Sequence, residues 1–183
     1  MRVTKQKAAE NRERILKAAS GLIRERGIAG AGVDALAEAA GMTYGSLYSQ
    51  FGSKERLVEA ALGHALIASG KTTSGAATLD QYVAGYLAPE HRDGVSQGCP
   101  LSALACEMPR QSAGVRQTFT AGLRGMLKQL SSRMNSALKP RQREEQALAT
   151  VASLVGALVL ARAVDDAELS DAILRATRKR LNS

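Results

Sequence analysis

Gly41–Lys54 reads GMTYGSLYSQFGSK. The whole chain holds four Tyr, two Phe and no Trp, yet Tyr44, Tyr48 and Phe51 fall within this one stretch, separated by Gly, Ser and Gln. Thr43 is a helix cap and Gly52 a helix stop, so the spacing predicts a short helix over 44–51. On a helix, Leu47 and Phe51 lie one turn apart and form an apolar stripe. Gly45, Ser46, Ser49 and Gln50 form a small, polar outer face, and Tyr44 and Tyr48 flank it.

Working outward, Ile15, Leu16, Ala19, Leu22 and Ile23 recur at helical spacing and predict a first helix over 5–26, which Gly27 stops. A second short helix is expected over 33–40, with Leu36 and Ala40 facing inward and Gly41 at its end. Two short helices joined at Gly41-Met42-Thr43 fit a helix-turn-helix. In a major groove, small residues let the helix backbone approach the bases, while Tyr hydroxyls and Lys54 bond phosphates. Ser46 and Gln50 reach base edges, Gln suiting adenine.

The first 26 residues strengthen that reading. Arg2, Lys5, Lys7, Arg12, Arg14, Lys17, Arg24 and Arg26 face three Glu, a local charge of +5. A basic arm beside a groove-reading helix is an electrostatic footprint for phosphate. A basic helical interaction protein without sequence-specific DNA binding would carry the same arm. A large ratio of specific to non-specific DNA affinity separates the two.

Composition sets the frame. The chain has 183 residues, a formal charge of +8 and a pI near 9.9, which point to an anionic partner. Ala, Leu, Arg and Glu dominate and strand formers are scarce in runs, so the expected fold is all-α. The charged N-terminus has no apolar run behind it, two cysteines do not make a disulfide framework, and a cytoplasmic location is expected. The uncharged run at 146–161, QALATVASLVGALVLA, falls short of the roughly 20 residues that cross a bilayer, so it reads as a buried helix and no membrane partner is expected. Gly30-Ala31-Gly32-Val33-Asp34-Ala35 matches a loose dinucleotide loop but follows a helix rather than a strand. No HExxH, paired-cysteine zinc spacing or nucleophile elbow occurs, so no catalytic residue, metal or cofactor is expected.

Beyond the helix-turn-helix, Ser53 caps a fourth helix whose buried stripe is Leu57, Val58, Ala61, Leu62, Ala65 and Leu66. Residues 71–78, KTTSGAAT, read as a linker, followed by a helix over 79–87 and a loop over 88–98. A helix begins near Pro100 and ends or kinks at Pro109. A long amphipathic helix is expected from Val115 to Leu138, then the most apolar helix, then a last one over 168–181. Proline at the first helical position leaves Cys99 at the cap, where the helix dipole lowers a thiol pKa, and Cys106 would lie two turns on along the same face. Free cysteine also serves as a small core residue. Tyr82, Tyr86, Phe119, Met126 and Met134 are candidates to line an apolar cavity, although such stripes are more often core. His64 and His91 stand isolated and read as surface or core residues. The apolar helix and the last one are the expected dimer interface, where Gly156 and Ala157 permit close helix approach.

Residues 10–62 resemble the N-terminal domain of the TetR family of bacterial transcriptional regulators. The likeness rests on G-x-x-x-G-S-L-Y-x-x-F-x-S-K-E-x-L, from Gly41 to Leu57. The resemblance implies an N-terminal three-helix helix-turn-helix DNA-binding domain, here 1–55, followed by a larger helical ligand-binding and dimerisation domain, 56–183. It implies a homodimer that binds double-stranded, palindromic operator DNA and is released by an unknown small-molecule effector, the usual role being repression. Thr43, Tyr44, Gly45, Ser46, Tyr48 and Lys54 match the family's recognition-helix contacts, and Val33 matches a position that often touches phosphate. Where members commonly carry Thr or Ser, this chain has Gly32-Val33-Asp34 and lacks the hydroxyl. The segment GCPLSALACEMP resembles the sixth helix of a branch that includes sensors of electrophiles and oxidants, which makes Cys99 a candidate redox or electrophile switch.

Overall fold

The structure, a computed structural model, describes residues 5–182 apart from the side chains at 73 and 74. Arg2 of the basic arm lies outside the described residues. Ten α-helices follow one another with no strand among the described residues: α1 (Lys5–Gly30), α2 (Val33–Ala40), α3 (Tyr44–Phe51), α4 (Lys54–Ser74), α5 (Leu79–Tyr86), α6 (Pro89–Asp93), α7 (Pro100–Leu104), α8 (Ala113–Ser131), α9 (Pro140–Ala163) and α10 (Ala167–Leu181). A 3-10 helix, Ala105–Arg110, continues α7.

Local chemistry fixes the first four. Gly41 takes the left-handed conformation (φ 59), its N–H bonding Glu38 while Met42 N–H bonds Ala37, which ends α2. The Ser53 hydroxyl accepts the Arg56 N–H at 3.2 Å and opens α4. Leu47 and Phe51 are buried against α1, α2 and α4. Burial of each contributes about 1.5–3 kcal/mol and fixes which face α3 shows to solvent. This first core also takes in Leu104, Met108 and Val115 from much later in the chain. A second core joins Tyr82 and Tyr86 of α5, Leu101, Met126, Leu130 and the inner faces of α9 and α10. Leu66 of α4 and Phe119 of α8 pack against both.

Five expectations change. Residues 71–74 belong to α4, where the Thr72 hydroxyl bonds back to Ala68 O, so the linker shrinks to 75–78. The loop after α5 contains α6, which Pro89 starts from the first helical position. The long helix α8 stops at Ser131 rather than Leu138, although Met134 beyond it is still buried. At 24 residues α9 is long and apolar enough to cross a membrane by length and composition, unlike its uncharged run alone, and 39% of its most apolar window is buried. Ala157 turns into this protomer's own core rather than outward.

Gly27 interrupts α1 at φ 74 and ψ 167, a region that side chains other than hydrogen rarely enter. A β-carbon there would meet the Glu107 carboxylate oxygen at 2.5 Å. Gly27→Ala is expected to lower stability by about 1–3 kcal/mol, read as a fall in the urea unfolding midpoint at unchanged slope.

Candidate nucleic-acid interface and core cavities

The outer face of α3 is small and polar, as its sequence requires. Thr43 Oγ1 accepts the Ser46 N–H at 3.3 Å and shares a hydrogen with Ser46 Oγ at 2.9 Å, which closes the first turn. Gly45 is exposed, with no atom within 4 Å of where a β-carbon would stand. Tyr44 and Tyr48 are 52% and 37% exposed, and their rings stack with centroids 4.6 Å apart. The Tyr48 hydroxyl raises the Tyr44 phenol above its ordinary pKa, so Tyr44 keeps its hydroxyl hydrogen as a donor. Gln50 near the end of α3 and Lys54 at the start of α4 are half-buried.

Basic residues of α1 abut this helix. The Arg12 guanidinium lies 4.4 Å over the Phe51 ring and donates to Gln50 O at 3.3 Å. Arg14 reaches the Met42 sulfur at 2.8 Å. Val33 is half-buried against the first core, and Gly32 before it supplies no side-chain cap, so only backbone amides present donors at the start of α2. Arg24 is withdrawn from the basic arm. It is buried and donates to Ser20 O at 2.8 Å and Gly98 O at 2.9 Å, so it binds the far half of the protein rather than solvent phosphate.

Two pockets border α4 and α5 and share the wall around Cys99. The larger, about 360 Å³, lies between α4, α8 and the start of α7, with Gly63, Gly70, Gly122 and Gly125 among its lining. The smaller, about 240 Å³, is lined by Thr72, Gln81, Tyr86, His91 and Gln97 among others. Ser69, Tyr82 and Cys99 line both and separate them. Among the described residues, no Asp, Glu, Lys or Arg lines either one. Of the sequence candidates, Tyr82, Tyr86, Cys99 and Met126 line cavities, whereas Phe119 and Met134 line neither. Cys106 is exposed while Cys99 is buried. The expected shared face is lost because α7 lasts only five residues before tightening into the 3-10 helix.

His91 is the residue that sequence reading missed. Its Nε2 accepts the Cys99 N–H at 2.9 Å, so Nδ1 carries the hydrogen and donates it to Tyr86 O at 2.7 Å. The ring stands edge-on to Tyr86, 4.7 Å between centroids. Arg162 ties the same corner, donating to His91 O at 2.6 Å, Arg92 O at 2.9 Å and Ser102 Oγ at 3.3 Å. Burial lowers the pKa of both Arg24 and Arg162, and Cys99 acts on each in the opposite sense. The Tyr86 hydroxyl is buried beside Cys99 and Ser102, close enough for both to influence its titration, yet in hydrogen-bond geometry with neither. Burial first, then Cys99, holds that phenol well above its ordinary pKa, so it stays a hydroxyl.

Burial also lowers the His91 pKa from its ordinary 6.5. The unfolded chain therefore takes the proton first as pH falls, and stability declines from about pH 6.5 down to the depressed folded value. Between about pH 7.5 and 5.5, His91→Gln is expected to show a shallower loss of unfolding free energy than the native protein. Urea titrations at a series of pH values measure both slopes.

Comparison with known proteins matches two stretches of the chain. Residues 15–61 match the family model described as bacterial regulatory proteins, tetR family, and residues 75–176 match that of the transcriptional regulator LmrA/YxaF-like, C-terminal domain. No curated protein matches the chain in sequence. Among solved structures, the reduced form of NemR from E. coli is 23% identical, covers 94% of this chain and 95% of its own, and superposes with a TM-score of 0.77. A TetR regulator from Chloroflexus aurantiacus is 20% identical over 97% of each chain, TM-score 0.77. One from Cytophaga hutchinsonii is 18% identical over 100% of this chain and 97% of its own, TM-score 0.76. At those identities the likeness establishes the fold. TetR-family proteins bind DNA and act as dimers. With both halves matched, this chain belongs to the TetR family of bacterial transcriptional regulators.

Proposed function

We propose that this regulator is a repressor that reads a palindromic operator as a homodimer and leaves it on an effector signal. The domain 1–55 reads DNA, and 56–183 binds the effector and dimerises. The outer face of α3 carries this reading: Gly45, Ser46 and Gln50 between the stacked Tyr44 and Tyr48, with Arg12 and Arg14 alongside. Tyr44, Tyr48, Thr43 and Lys54 contact phosphates, and Ser46 and Gln50 reach bases. Val33 offers its amide. Two such heads engage half-sites about one helical turn, roughly 34–36 Å, apart or a multiple of it.

Leu148 and Leu160 of α9 and Leu169 of α10 are about half exposed, which supports dimerisation through these two helices. A second copy covers them. The cavities support an uncharged, largely apolar effector. An ionised group buried there would meet no opposite charge among the lining side chains, at a cost of several kcal/mol. The Tyr86 hydroxyl is available to a single hydrogen-bonding group on such a molecule. Cys99, on the wall shared by both cavities and between Arg24 and Arg162, is the residue through which an oxidant or electrophile would act.

Sequencing of genomic fragments captured by the reduced protein at near-physiological salt tests the DNA reading. One enriched palindrome is the expected result, and equal recovery of all fragments from native and refolded protein favours the basic interaction protein instead. On the recovered operator, Tyr48→Ala is expected to weaken binding about tenfold, in the range of one lost phosphate or base contact, without loss of helicity. In Cys106→Ser protein, Cys99 is expected to react with an alkylating agent faster than free cysteine; an equal or slower rate removes it as a switch.

A further inference from the structure

Glu107 sits on the 3-10 helix, far in sequence from the DNA-reading head. Its carboxylate accepts the Ile28 N–H at 3.1 and 3.0 Å and the Ala29 N–H at 3.2 Å. Those amides are free for it because Gly27 breaks α1 and starts a new turn, which closes when Ala31 N–H bonds Gly27 O at 3.1 Å. The carboxylate thus caps that turn with a charge, as an acidic residue does at any helix start. The approach is close enough that a β-carbon at Gly27 would displace the carboxylate. Among the described residues no Lys or Arg forms an ion pair with Glu107, so its oxygens serve these amides.

The segment that carries Glu107 also builds the larger cavity. Its start is held to α1 through Arg24 and Gly98 O, its middle supplies Cys99, Pro100 and Leu101 to the cavity wall, and its end carries Glu107. On the head side, Ile28 and Ala31 are buried in the first core, and Gly32 leads at once into α2. The corner at 28–31 therefore fixes where α2, and α3 packed on it, stand relative to the cavity.

We infer that Glu107 is a positioning residue whose carboxylate, by holding the backbone at Ile28 and Ala29, sets the angle of the DNA-reading head from the cavity wall. The inference rests on residues 1–55 being that head. Replacing the carboxylate frees the corner while Arg24 still holds the other end.

The test measures head orientation without DNA. Spin labels at Ser49→Cys on α3 and Arg141→Cys on α9, in a Cys99→Ser, Cys106→Ser background diluted with unlabelled protein, report one intramolecular distance by double electron–electron resonance. The carboxylate-bearing protein is expected to give one narrow distribution. Glu107→Ala is expected to shift it or about double its width, with Glu107→Gln, which keeps one accepting oxygen, between the two. Gln111→Ala, which removes the bond from the Gln111 amide to Glu107 O on the same 3-10 helix, is expected to leave the distribution unchanged. An unchanged distribution in folded Glu107→Ala overturns the inference, as does equal broadening in Gln111→Ala. Should Glu107→Ala lose its helical circular dichroism, Glu107→Gln decides: broadening supports the role and the original distribution refutes it. Because no operator is needed, failure here and failure of the DNA reading are separate results.

Discussion

An α-helix bends sharply only where its backbone hydrogen bonds are interrupted, and α4 runs for 21 residues, roughly 30 Å, between the two halves of this protein. Its first turns pack Leu57, Val58, Ala61 and Leu62 against the DNA-reading helices. Its later turns give Leu66, Ser69 and Gly70 to the cavity wall. Along this path α4 is one continuous helix. The first core even draws Leu104, Met108 and Val115 back from much later in the chain, so packing does not break near residue 55. Leu66, packed against both cores, joins the two along this helix.

Charge is divided in the same way. The +8 total suits a phosphate partner, yet two of the arginines, Arg24 and Arg162, are turned inward and spend their donors on backbone carbonyls at 91, 92 and 98. Burying a guanidinium is unfavourable unless its hydrogens are bonded, and these bonds compensate while fixing the chain around Cys99. The basic residues that remain beside α3, such as Arg12 and Arg14, form a smaller field than the count in the first 26 residues implied.

How much of this was legible depended on how local the cause was. Thr43, Gly41 and Gly52 cap or stop their helices through contacts a few residues away, so α2 and α3 stood where their spacing placed them. The same holds for Leu47 and Phe51, whose burial follows from period alone. His91 looked isolated because its partners, Tyr86 and Cys99, meet it across α6 and a turn that the sequence read as plain loop. Arg24 counted as a DNA-facing cation because nothing nearby reveals a carbonyl 74 positions on. Glu107 gave no signal at all, since an acidic residue on a short helix is ordinary until the backbone of Ile28 is seen against it. The two cysteines parted for a different reason: helical periodicity was extended across a point where the helix changes pitch.

The glycines facing across α4 and α8 bear on how such a protein diversifies. At Gly125 a β-carbon would stand in open space, and at Gly63 its nearest neighbour would be ordinary contact with Thr118 at 3.8 Å. At Gly122 it would collide with Leu66. The cavity is therefore bounded partly by missing side chains, some of which single codon changes would restore without disturbing the fold. The shape of this cavity can therefore change through these positions while the outer face of α3, built from other residues, stays as it is.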